Sequence, residues 1–150
     1  MVQAFTILRK KYLWSAELYL AGAKESDIRD ALRERQIRVE EVDWQKIHLL
    51  GDLGSEKLTD YYNLCDVFCM PSYFEAYGLV FAEALTYGLP CIGRDKFAMS
   101  EFIEDGCTGR LISGEDAEEL ALDLWEVLQD PKYREEVERR REWYLREYSW

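Results

Sequence analysis

At 150 residues, 48% of them apolar, the chain is long enough to enclose a core of its own without metal or disulfide staples. Its 19 lysines and arginines face 30 aspartates and glutamates, and the net charge of -11 opposes bulk attraction to nucleic-acid phosphates or anionic lipid, so an anionic ligand must find local donors. Cys65, Cys69, Cys91 and Cys107 form no CxxC pair, His48 is the single histidine, and no run approaches the roughly 20 apolar residues of a membrane span; reduced thiols, no metal or other cofactor and a cytoplasmic protein are expected.

The opening segment has mixed charge and no signal-peptide cleavage pattern. In it Val2, Phe5, Ile7, Leu8 and Tyr12 recur near a helical period, and "AELYLAG" reads as a strand stopped at Gly22. Residues 26–41, "SDIRDALRERQIRVEE", suit an amphipathic helix with Ile28, Leu32 and Ile37 inward. "KIHLLGD" reads as a strand, and "GSEKLTDYYNLC" as a helix with Ser55 placed to cap its first turn. "DVFCMPS", "LPCIGRD" and "TGRLIS" are short unbroken apolar runs, the pattern of strands covered on both faces. Helices fill the gaps between them, the second being the short "MSEFIEDG". The remainder predicts a helix with Leu120, Leu124, Val127 and Leu128 inward, a break at Asp130-Pro131, and a second charged helix with Pro131 at its first position. No linker, repeat or low-complexity tract divides residues 1–150. Alternating helices and strands predict one three-layer α/β domain, Rossmann-like, with a parallel sheet of about five or six strands.

Ligands of such sheets bind at the carboxyl edge, in the strand-to-helix connections, here 22–26, 51–55 and 72–78. None carries a GxGxxG or P-loop pattern. The third contains Glu75 and leads to Glu83. With a strand ending near Pro71-Ser72 and a helix starting near Tyr77-Gly78, the N–H groups of Gly78 and Leu79 stand at the positive helix end, a place for phosphate oxygens. A carboxylate accepts hydrogen bonds only, so carboxylates on either side of a phosphate site suit hydroxyls, a sugar at Glu75 and a ribose at Glu83. Spacing alone fits equally well an ordinary helix with Glu75 favoured by the dipole and Glu83 in water. The neighbours of Glu83, from Leu79 through Leu85, are otherwise apolar, which predicts a buried helix and a carboxylate in need of partners.

In this context "PSYFEAYGLVFAEALTYGLPCI" resembles the E-x7-E motif of the group 1 (family four) glycosyltransferases, whose fold is GT-B. The order of "LAG", "LLGDL", "LTDYYNLCDVFCMPS", "SEFIEDGCTGRLI" and "DAEELALDLWEVLQDP" extends the resemblance along nearly the whole chain. It implies a C-terminal, nucleotide-sugar-binding domain of an enzyme that transfers a hexose with retention and without a bound metal, the donor carrying UDP or GDP. Glu75 matches the catalytic first glutamate near the transferred sugar, Ala76, Tyr77, Gly78 and Leu79 the turn at the diphosphate, and Glu83 the ribose ligand. Gly51, Asp52 and Leu53 fall where the base is held. Asp95, Lys96, Phe97 and Ala98 match a loop near the donor sugar, although "RDKFAMSE" lacks the paired glycines common there.

The resemblance further implies an N-terminal acceptor domain and a strand bearing an Arg and a Lys, neither represented in these residues. The expectation is a fragment that binds donor weakly and transfers little, with any peripheral membrane association coming only through the acceptor domain. A stand-alone nucleotide-sugar module and a GT-B-like epimerase fragment are the alternatives. His48 is expected to be structural or at the surface. Glu101 is open between a supporting and a capping role. Tyr61, Tyr62 and the tryptophans at 14, 44, 125, 143 and 150 suit core packing better than a carbohydrate platform, and Trp143, Tyr144 and Trp150, if exposed, mark a partner surface.

Overall fold

The computed structural model describes residues 1–148, so Trp150 lies outside the described residues. In chain order the elements are α1 (Val2–Lys11), β1 (Leu18–Ala21), α2 (Glu25–Glu34), two 3-10 turns at Val39–Glu41 and Trp44–Lys46, β2 (Ile47–Gly51), α3 (Ser55–Leu64), β3 (Phe68–Cys69), α4 (Leu79–Thr86), β4 (Cys91–Arg94), α5 (Met99–Phe102), β5 (Gly109–Ile112), α6 (Ala117–Gln129), α7 (Lys132–Arg139) and α8 (Arg141–Tyr148). They fall into two compact units, the first comprising Met1–Leu58 and Asp116–Leu122, the second Thr59–Glu115 and the described residues from Asp123 onward.

In the first unit β1 and β2 pair in parallel, Leu18 opposite Ile47. The periodic residues Val2, Phe5 and Leu8 of α1 are buried, as their spacing predicts. Helix α2 stops earlier than the sequence period suggests. Gln36 turns left-handed (φ 58), its N–H bonds the Arg33 carbonyl and that of Ile37 bonds the Leu32 carbonyl, which is the hydrogen-bond pattern of a Schellman stop. The start of α3 also differs from expectation. Gly54 holds the cap position, its carbonyl accepting from Lys57 and Leu58, and Ser55 is already helical.

In the second unit β3, β4 and β5 form a parallel sheet in that order, with β4 central and all four of its residues buried. Phe81, Leu85, Leu89, Ile92, Met99 and Val137 form its closed core. Strands β4 and β5 approach so closely at Gly109 that a Cβ there would lie 1.7 Å from the Cys91 carbonyl oxygen. The parallel α/β fold is as expected, and among the described residues its strands stand as a two-stranded and a three-stranded sheet rather than as one. Apolar runs mark strands without naming their neighbours. Here β3 is cut to two residues because the Phe68 and Met70 amides bond the Pro90 and Ile92 carbonyls, and the next amide in that alternation, Ser72, turns back to the Met70 carbonyl at 2.8 Å.

The final charged helix is broken into α7 and α8 at Arg140. Pro131 has helical angles (φ -61, ψ -18) and accepts the Glu135 N–H, so it sits where its missing donor costs nothing. Among the described residues no helix is long and apolar enough to cross a membrane.

Candidate functional site

The connection from β3 to α4 carries the first predicted carboxylate. Gly78 precedes the first helical residue of α4 in the left-handed region, φ 65. A Cβ at this position would also stand 2.8 Å from Phe102 Cε2 and 3.2 Å from Ala98 Cβ. Glycine is thus required both by the turn and by the close approach of the α5 region. The Gly78 amide is not left open. It donates to Oε1 of Glu75 at 3.1 Å, and the Tyr77 amide reaches the same oxygen at 3.4 Å. A carboxylate thus occupies the positive end of α4, where helix dipole and unsatisfied amides attract an anion.

The second carboxylate is held differently. Glu83 is half-buried rather than enclosed, and Leu79 on the same helix is exposed, so α4 is less deeply covered than its composition predicts. The hydroxyl of Tyr62 donates to Glu83 Oε2 at 3.2 Å. Tyr62 is buried on α3, stacks on Tyr87 at 5.2 Å, and meets the edge of Phe68. The Tyr87 hydroxyl in turn shares a hydrogen bond with Thr59. Burial, and secondly the charge of Glu83, push the Tyr62 phenol well above its usual value, so it stays protonated as a donor. Helical spacing on α3 predicts an inward Tyr62 but not this bond. The signal was available in combination, since a buried phenol seeks an acceptor and a covered carboxylate seeks a donor.

The remaining predicted residues separate. Ala76 and Tyr77 are exposed in the loop. Lys96 and Phe97 are exposed too, whereas Ala98 is buried, its side chain facing Gly78 rather than solvent. Phe97 is left-handed, φ 55, and its ring meets that of Phe74 edge-on at 5.2 Å. Gly51, Asp52 and Leu53 belong to the first unit, at the carboxyl end of β2. There Gly51 has φ 63, and its carbonyl accepts the Gly22 amide at 2.8 Å.

Glu101 is exposed on α5. His48 stacks on Tyr19 at the surface and bonds Glu17. Among the described residues the tryptophans form no shared platform. Trp44 lies under Arg29 and donates to the Val39 carbonyl, Trp14 and Trp143 are exposed, and Trp125 is half-buried. Tyr144, expected beside Trp143 on an exposed surface, is buried instead, because the period of α8 turns it inward. The four cysteines are free, and desolvation raises the Cys91 thiol far above its usual value. Among the described residues no three His, Cys, Asp or Glu side chains are grouped to hold a metal ion. Arg94, at the end of β4, drew no attention as a sequence position, yet it is buried against the start of the Glu75 loop.

Comparison with known proteins places the chain in a family. The family described as glycosyl transferases group 1 matches residues 1–142. A D-inositol 3-phosphate glycosyltransferase of Kribbella flavida is 36% identical over 78 residues, 52% of this chain and 18% of the relative. The chain spans about a fifth of the length of the first curated relatives it matches. Among solved structures, the pneumococcal O-GlcNAc transferase GtfA, in complex with UDP and GlcNAc, superposes with a TM-score of 0.73 at 26% identity, covering 95% of this chain and 29% of the transferase. The catalytic domain of a cholesterol-alpha-glucosyltransferase from Helicobacter pylori gives 0.74 at 17% identity, covering 97% of this chain and 87% of that domain. The α/β fold is that of GT-B glycosyltransferases, and with the family matched along almost all of its length, the chain belongs to the group 1 glycosyltransferases.

Proposed function

We propose that these residues are the donor-binding domain of a transferase that takes a hexose from a nucleotide-sugar, with Glu75 at the sugar, the Tyr77 to Leu79 turn at the diphosphate and Glu83 at the ribose. The observation that carries the reading is the Glu75 carboxylate on the Tyr77 and Gly78 amides. An anion is already stabilised there, and this anion is a side chain that can leave. A diphosphate offers those amides more negative charge and more acceptor oxygens, so its arrival releases Glu75 toward the sugar hydroxyls. Glu83, oriented by Tyr62, keeps an outer lone pair for ribose.

The UDP bound by the pneumococcal relative supports a nucleoside diphosphate as ligand class. Lys96 and Phe97 are assigned to the sugar side. On this reading the acceptor half and the cations that neutralise the departing diphosphate come from a separate domain, transfer proceeds with retention, and these 150 residues alone bind donor without appreciable turnover.

Titration with UDP, GDP and ADP, followed by calorimetry or amide shifts, tests the assignment. Glu83→Ala should weaken the preferred nucleotide about tenfold, the loss of a charged hydrogen bond to ribose. Glu75→Ala should tighten the same nucleotide, because it removes the competitor for the amides. Unchanged affinity in the first variant refutes the ribose role, and weakened affinity in the second refutes the displacement.

A further inference from the structure

Arg94 is the last residue of β4 and only 8% exposed. Its Nε donates to the Pro71 carbonyl at 3.1 Å and its Nη1 to the Gly114 carbonyl at 2.6 Å. The guanidinium carbon lies 4.4 Å from the centre of the Tyr73 ring. Its own backbone N–H points to Met99 Sδ at 3.2 Å. No carboxylate pairs with it among the described residues. A buried cation held by two carbonyls and an aromatic face therefore ties the β3–α4 and β5–α6 connections to the end of β4.

Elsewhere the β3–α4 loop is held by the Ser72 amide on the Met70 carbonyl and by the Phe74 ring on that of Phe97. The sheet ladder ends with the Met70 amide, and Tyr73, Phe74 and Tyr77 are exposed. Near the start of the loop Arg94 holds Pro71 and Tyr73, and at its end Glu75 bonds Gly78. Glu75 is two residues beyond the stacked Tyr73, so the direction in which the loop leaves the sheet decides whether its carboxylate reaches the amides. We infer that Arg94 is a positioning residue for Glu75, acting through Pro71 and Tyr73 to hold that carboxylate over the amino end of α4. The planar fork is essential to this task. A lysine keeps the charge, but its single ammonium does not span two carbonyls while lying flat on a ring.

The nucleotide part of the test rests on the donor-site reading, whereas hydrogen exchange does not. In the full chain, Arg94→Lys should raise exchange at the Tyr77 and Gly78 amides about tenfold, the equilibrium factor for losing one net hydrogen bond. It should also tighten UDP, as Glu75→Ala does, by loosening the competing carboxylate. In a Glu75→Ala background the lysine change should alter neither readout, since no carboxylate remains to be positioned. A purely structural Arg94 gives a lower unfolding midpoint with unchanged exchange at those two amides, which overturns the inference. An equal rise in exchange with and without Glu75 overturns it as well. If no variant binds nucleotide, the donor-site reading fails and the exchange data still decide the role of Arg94. Should Arg94→Lys not fold, Tyr73→Leu, which leaves both carbonyl bonds, should raise exchange at the same amides by a smaller factor, and unchanged exchange there would sink the proposal.

Discussion

Gly51, the last residue of β2, and Gly78, in the connection from β3 to α4, have nearly the same backbone, φ 63 and φ 65. Around a Cβ at Gly51 there is nothing within 4 Å, whereas at Gly78 Phe102 and Ala98 close in. The first unit thus uses a left-handed residue to turn an exposed loop, and the second uses one to bring a helix end against a neighbour while a carboxylate covers its amides. The dihedral angle says that glycine is needed, and the surroundings say why.

The sharpest way to break this contrast is to add one methyl group at each place. Gly51→Ala should cost about 1 kcal/mol, the penalty of a left-handed alanine. Gly78→Ala carries the same penalty and adds overpacking against Phe102, for about 2–4 kcal/mol in all. Urea denaturation of both variants measures the difference. Equal losses would mean that Phe102 moves aside freely and that the packing at Gly78 plays no part.

A smaller effect separates the ways in which the two units hold a carboxylate. In the second unit Glu83 receives the hydroxyl of a buried tyrosine. Tyr62→Phe keeps the stack on Tyr87 and deletes only that bond, so it should cost about 1 kcal/mol by the same measurement. On the donor-site reading it should also weaken UDP, by leaving Glu83 free to turn away. Full stability in this variant would show that water replaces the phenol without loss.

The positions of α1, β2, β4 and α6 were legible because each is a run whose period or continuity reports its own burial. The candidate site was legible as spacing, with Glu75, Gly78 and Glu83 following one another from the β3–α4 connection into α4. What the sequence did not show depends on partners distant in the chain. Nothing local to Glu75 announces that its carboxylate turns back onto Gly78 rather than outward. The link between Arg94 and Pro71 spans 23 residues and pairs an arginine with a backbone carbonyl, a contact that any residue can offer. Strand neighbours are hidden for the same reason, since Phe68–Cys69 carries no mark of pairing with β4 alone. The end of α2 at Gln36 was missed because a non-glycine left-handed stop breaks the usual composition rule while Ile37 stays on the helical period.

The smallest expected effect concerns the surface counterpart of Glu83. In the first unit Glu17 accepts hydrogen bonds from Lys46 at 2.9 Å and Tyr19 at 3.2 Å, and shares one with His48 at 3.0 Å. The bond from Lys46, then those to His48 and Tyr19, lower its pKa from 4.5 to about 2. A carboxylate whose folded pKa lies below its unfolded one stabilises the fold above the unfolded value and loses that contribution as pH falls through the folded one. The sensitive window therefore runs downward from 4.5 to about 2. Because the group is open to solvent, screening keeps the contribution small. Urea midpoints at pH 6 and pH 3 should fall further for the unmodified chain than for Glu17→Gln, and 1 M salt, with a Debye length of about 3 Å, should narrow the gap. Parallel losses in the two proteins would show that the cluster is in place without affecting stability, in contrast to the buried phenol at Glu83.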